Sequence, residues 1–113
     1  KELVFFARHG LLKEEKKLGQ RFRLDVVVEL DPSLDLSADT PDSTVNYVEL
    51  YVTIKEIFTE QHFNMIEAAA DAIAAGLLER FPKVVSVTVE VKKPSVPVDC
   101  ACEYFAAEVT RCR

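Results

Sequence analysis

Glu67 is an acid placed for chemistry by its local sequence. It lies in the run FNMIEAAADAIAAGLLERF, residues 63 to 81, three positions after Asn64, a residue type favoured at helix N-caps. Free backbone N–H groups and the helix dipole keep a carboxylate ionised in a first helical turn. A fixed anion there can pair with a planar donor group. The alternative is local: Glu67 folds back onto the N–H of Asn64 and completes a capping box.

The cysteines raise a second possibility. Cys100, Cys102 and Cys112 are odd in number, and Cys100 and Cys102 stand two apart at a presumed strand, where alternation turns both thiols to one face. Such a pair could ligate a soft metal, but no second pair completes a set, and His9 and His62 have no ligand spacing relative to it. Free thiols in a reducing cytosol are expected, hence a cytoplasmic protein; neither a metal nor a cofactor is expected.

These residues must be positioned by elements that the chain announces in order. Leu3 to Ala7 is an apolar run that reads as a strand ended by Gly10. The charged segment Leu11 to Leu18 reads as a long loop, with Glu14 and Glu15 as solvated acids by default. Phe22, Leu24, Val26, Val28 and Leu30 then alternate with Arg21, Arg23, Asp25 and Glu29, the pattern of a half-buried strand. Turn formers fill Asp31 to Ser43. Asn46 with Glu49 signals a helix start, and Tyr47, Leu50, Tyr51, Ile54, Ile57 and Phe58 form its apolar stripe up to about Glu60.

The second helix, opened by Asn64, carries Ile66, Ala70, Ile73, Leu77 and Phe81 on one stripe and ends at Pro82. Val85, Val87, Val89 and Val91 alternate with Ser86, Thr88, Glu90 and Lys92 in a strand that stops at Lys93-Pro94, since proline cannot donate to the ladder. A last strand is expected around Glu103 to Cys112. The order strand, strand, helix, helix, strand, strand predicts a two-layer α+β fold with both hairpins in one antiparallel sheet and two helices on one face. Two sheet edges remain open and invite protection or pairing with another subunit.

With 113 residues the chain has room for one domain and one core. Hydrophobic residues make up 49%, and no apolar run is long enough to span a membrane. Fourteen basic against nineteen acidic side chains leave a charge of -5, which disfavours nucleic acid and acidic lipid as partners and favours a small ligand. The chain starts at Lys1 in a strand-like run without a methionine, so a longer natural N-terminus is expected.

The strings His9-Gly10, Glu15, Gly19-Gln20-Arg21-Phe22, Val45-Asn46-Tyr47, Asn64-Met65-Ile66-Glu67 and Lys93-Pro94 occur in the order, and nearly the spacing, of the dihydroneopterin aldolases. The chain resembles that family over almost its whole length. The resemblance implies a single T-fold domain over residues 1–113, whose sheet joins those of other subunits edge to edge in a barrel. Two stacked tetramers would form a homo-octamer with sites at subunit interfaces.

The resemblance also implies a lyase of folate biosynthesis. It would cleave 7,8-dihydroneopterin by a retro-aldol reaction to 6-hydroxymethyl-7,8-dihydropterin and glycolaldehyde, without metal or Schiff base. The pterin's own C6=N5 imine accepts the electrons, so the protein supplies positioning and proton transfer.

Carried over by residue, Glu67 matches the acid that holds the 2-amino and N3–H edge of the pterin, with Ile66 beside it and the backbone of Val48 adding contacts. Lys93 matches the active-site lysine, where the alternative is a solvated edge lysine such as its neighbour Lys92 should be; if Lys93 is partly buried, desolvation would tune it as an acid or base. Tyr47 matches a proton-transfer tyrosine and Glu15 a loop carboxylate of the site. Two departures stand out: the loop from Asp35 to Tyr47 is shorter than the family's, and the segment Val98 to Cys102 lacks its usual glycine.

Two competing functions remain open at this point. A sister enzyme of the same fold would chiefly epimerise dihydroneopterin or its triphosphate, and C2′ epimerisation could also accompany the aldolase, since the same intermediate can recombine. A triphosphate would call for several basic groups near the site, against which the net negative charge argues. From another class, a noncatalytic small-ligand-binding α+β module would share size and layering, but would have no reason to gather Glu67, Tyr47 and Lys93 in one pocket.

Overall fold

Alternation along residues 20–30 builds the first long strand of the sheet: Phe22 and Leu24 are wholly buried while Arg21 and Glu29 face solvent. The computed structural model describes all residues, Lys1–Arg113. In chain order the elements are β1 (Leu3–Ala7), α1 (Lys13–Leu18), β2 (Gln20–Leu30), α2 (Tyr47–Glu60), α3 (Ile66–Arg80), β3 (Val84–Lys93) and β4 (Phe105–Cys112). All strand pairs are antiparallel, in the order β1-β2-β3-β4, which is the expected α+β sheet.

One face of the sheet carries both long helices. Phe5, Phe22, Leu24, Val87, Val89 and Val91 meet Ile54 and Phe58 of α2 and Ala70, Ile73, Ala74 and Leu77 of α3. The alanines of α3 let its backbone lie close to β3. Phe58 packs edge-on against Phe22 with ring centroids 5.3 Å apart, and truncating such a buried aromatic to alanine costs about 3–5 kcal/mol. The opposite face carries no helix and leaves Val4, Phe6 and Val27 exposed.

Several local expectations change. Residues 13–18 form a short helix rather than a loop: acids open it, lysines close it, and Gly19 ends it with its N–H bonded to the Glu15 carbonyl at 2.9 Å. In β3, Ser86 faces Glu29 but Val84 faces Leu30, so Val85 is the extra residue of a bulge. The bulge sends Val84 into the core in place of Val85. β4 begins at Phe105, so Cys100 and Cys102 lie in the preceding loop, exposed, rather than on a strand face.

α2 starts where expected, with Asn46 Oδ1 accepting from the Val48 N–H at 2.8 Å. α3 does not: its N-cap is Met65, which offers no side-chain cap, and Asn64 instead meets His62 through Oδ1 and Nε2 at 3.2 Å. The capping box between Asn64 and Glu67 is therefore not formed.

Candidate active site at the end of the sheet

Glu15 stands in the first turn of α1, where its carboxylate reaches back to the Leu12 N–H at 3.3 Å. Leu12 has no side-chain acceptor, so only this half of a capping box exists. The other Glu15 oxygen, Oε2, forms an ion pair with Nζ of Lys93 at the end of β3. The two side chains are only 11% and 14% exposed, so Glu15 is not the solvated acid of the default reading. Burial works to raise the Glu15 pKa, but the hydrogen bonds from Lys93 and Leu12 and the lysine's charge outweigh it and hold the carboxyl below its ordinary value.

The preceding His9-Gly10 has a physical reason. Gly10 has φ +143, and a Cβ there would stand 2.5 Å from Cδ of Glu15, so any side chain would push the carboxylate away. The Gly10 N–H donates to the Phe63 carbonyl at 3.0 Å. His9 is buried and holds the same junction: Nδ1 accepts from the Phe63 N–H at 3.1 Å and Nε2 donates to the Phe58 carbonyl at 2.8 Å. Those partners select the neutral Nε2–H tautomer. Burial lowers the His9 pKa, assisted by the charges of His62 and Lys93 and opposed by the Phe58 hydrogen bond.

This junction places the start of α3 at the same end of the sheet. Glu67 is the second residue of α3, exposed and free of Asn64, while Ile66 before it is half-buried against the core. Gln20, at the start of β2, binds the backbone of Ser95 just beyond Lys93 and Pro94. Lys93, Glu15, Glu67 and Ile66 thus share one end of the molecule.

Tyr47 and Val48 do not. They open α2 beside the Phe81–Lys83 turn, whose Lys83 donates to the carbonyl of Asp42 at 2.6 Å. The ten residues of β3 separate that turn from Lys93, a distance of about 30 Å. Tyr47 is 81% exposed, so it is not a core residue of the helical stripe. With Val48, Tyr51, Leu3, Val26 and Val28 it lines an apolar groove of about 410 Å³ along the β1 side of the sheet.

Lys92 corrects a further expectation. Alternation turns it to the helix-free face, but it is buried there, with Nζ 2.7 Å from Glu2, 3.0 Å from Asp25 and 3.7 Å from Glu90. The hydrogen bonds to Glu2 and Asp25 raise its pKa. It is a structural cation, not a solvated one.

The family model described as FolB, dihydroneopterin aldolase, matches residues 1–110. The chain belongs to the dihydroneopterin aldolase family. It is 40% identical to the dihydroneopterin aldolase of Methylorubrum extorquens over 98% of this chain and 85% of the relative. Against the dihydroneopterin aldolase of Bacillus subtilis it is 39% identical over 96% of this chain and 91% of the relative.

Among solved structures, the Escherichia coli dihydroneopterin aldolase in complex with neopterin superposes with a TM-score of 0.84 at 19% identity, covering 97% of this chain and 93% of that one. The Burkholderia thailendensis dihydroneopterin aldolase bound to guanine gives 0.79 at 24% identity, with 99% and 86% covered. At these identities the two structures establish the fold.

As a member of the dihydroneopterin aldolase family the chain is a carbon–carbon lyase of the folate pathway, an aldolase acting on dihydroneopterin. No helix is long and apolar enough to cross a membrane. Within this aldolase, two residues of the quoted strings acquire contacts for which sequence reasoning assigned no role: His9, which fixes the α2–α3 junction, and Gln20, which holds the Lys93 loop. Their only sequence signal was membership of those strings.

Proposed function

We propose that each catalytic site is completed between two subunits, with Lys93, Glu15, Glu67 and Ile66 from one and Tyr47 and Val48 from its neighbour. The observation that carries this is the buried Lys93–Glu15 pair at one end of the sheet, with an exposed Tyr47 at the other. A free β1 edge and a helix-free face bearing Val4, Phe6 and Val27 favour pairing with further copies. The assembly is a T-fold barrel from single-domain chains, stacked as two tetramers in an octamer.

The substrate is a pterin. Neopterin and guanine, bound by the two structural relatives, share a 2-amino group beside a ring N–H. Glu67 accepts both donors through its two carboxylate oxygens, a charge-assisted bidentate pairing. Ile66 and the backbone of Val48 hold the ring beside it.

Cleavage then needs protons moved, not a further electron sink. The C2′ hydroxyl loses its proton, the C1′–C2′ bond breaks to release glycolaldehyde, and the electron pair flows through C1′ and C6 to N5, which takes up a proton. The Lys93–Glu15 pair handles these transfers. Tyr47 then helps to deliver a proton to C1′ as N5 gives its own back and the imine re-forms. Metal is not required, because the substrate's imine accepts the electrons.

Subunit mixing tests the assembly. Lys93→Ala and Tyr47→Phe chains should each form little 6-hydroxymethyl product, and hybrid oligomers reassembled from the two should regain it, since some interfaces then hold both native residues. Hybrids no more active than the averaged parents would end this reading.

A further inference from the structure

Gln20 makes two hydrogen bonds to one backbone unit. Its Nε2 donates to the Ser95 carbonyl and its Oε1 accepts from the Ser95 N–H, both at 2.8 Å. Ser95 can only donate through its N–H and accept through its carbonyl, so the orientation of the carboxamide is fixed.

The strand register explains the contact. Arg23 faces Lys92 across β2 and β3, and the same antiparallel register continued three residues further sets Gln20 opposite Ser95. Backbone pairing between the strands ends at Arg23 and Lys92, and Pro94 has no N–H with which to extend a ladder. The Gln20 carboxamide makes the two bonds to Ser95 that a backbone pair would have made. Lys93 pairs with Phe105 of β4 on one side of the strand, and on the β2 side, where it has no backbone partner, it is held between paired Lys92 before it and clamped Ser95 after it. Alternation turns its side chain away from that of Lys92 and toward Glu15.

We infer that Gln20 is a positioning residue for the aldolase reaction, fixing the backbone at Lys93 so that the lysine meets Glu15 and the substrate in one geometry. This rests on the proposed acid–base role of Lys93. Gln20 itself touches no reacting atom; it acts through the strand end.

Steady-state kinetics of the full-length oligomer test the inference. Gln20→Ala should lower kcat on the order of 10- to 100-fold, the scale of a small misplacement, while KM moves less than about 3-fold. The acid limb of its pH profile should move upward as Glu15 loses the lysine. Adding Gln20→Ala to Lys93→Ala should cost no further activity.

Gln20→Glu supplies a second variant should the alanine chain fail to fold. Only its protonated carboxyl can both donate to the Ser95 carbonyl and accept from the N–H, so its activity relative to the native enzyme should recover as pH falls. Native kcat with only a lowered melting temperature, losses that multiply in the double variant, or a Gln20→Glu deficit independent of pH would overturn the inference. Native turnover in Lys93→Ala alone would instead overturn the role of the lysine.

Discussion

Lys93 and Glu15 pair across the end of the sheet from elements far apart in sequence, with side chains only 14% and 11% exposed. Lys93→Ala should cut turnover by about 10²-fold or more, the scale of a general acid or base. It should also reduce acid tolerance. The Glu15 pKa in the folded protein lies below the ordinary 4.5, so its stabilisation is present above that value and fades as pH falls through the lower folded one. Without Lys93 that depression shrinks, and acid unfolding followed by circular dichroism should begin at higher pH. Lys92→Ala should do the reverse to function: lower the denaturation midpoint, because Asp25 and Glu2 lose their cation, yet leave the folded enzyme's turnover near native. Equal losses of turnover would show that the two lysines have been assigned wrongly.

Glu67 caps nothing within its own chain, since α3 starts at Ile66 with Met65 as N-cap. Glu67→Gln should therefore cost the fold no more than the roughly 0.3–1 kcal/mol of one charge at a helix start, while weakening pterin binding by roughly 2–5 kcal/mol, the range for truncating one partner of a buried charged hydrogen bond. Calorimetry with neopterin reads the affinity, and an unchanged value removes Glu67 from the site.

Tyr47→Phe should not destabilise the fold, because the residue is 81% exposed in the chain. The variant should slow protonation at C1′ more than bond cleavage. The electron-rich pterin left after glycolaldehyde departs then lives longer, and oxygen can intercept it. Less hydroxymethyl product and more oxidised pterin are expected in air, with the oxidised species absent under anaerobic conditions. An unaltered product ratio at unaltered turnover would take Tyr47 out of the mechanism.

His9 makes stability depend on pH in a second window. Its folded pKa is below the ordinary 6.5 because it is buried, and Nδ1 must stay unprotonated to accept from Phe63. As pH falls below 6.5 the unfolded chain takes up a proton that the folded chain refuses, so stability drops; above 6.5 the group contributes no slope. Denaturant midpoints measured from pH 8 down to pH 5 should decline, and His9→Gln should flatten that decline while lowering stability at pH 8. The same decline in the variant would assign it to other groups.

Signals confined to a few neighbouring residues were legible in the sequence. The β1 run, the Asn46 cap of α2 and the stop at Pro94 each depend on chemistry within a turn or two, and each lies where the sequence placed it. The strings that identify the family were equally plain, and with them the aldolase activity. What the sequence left undecided depends on partners distant along the chain. Val84 replaces Val85 in the core because β2 imposes a bulge, and Lys92 is buried beside Asp25 of β2 and Glu2, which precedes β1. Glu15 leaves solvent because a strand end more than seventy residues later brings Lys93 beside it. Alternation could say that Lys92 and Lys93 point to opposite faces, but only the packed sheet decided which charges wait on each. For Tyr47 a helical stripe pointed to burial, but in the fold it opens α2 on an apolar groove with Leu3, Val26 and Val28 and stays exposed.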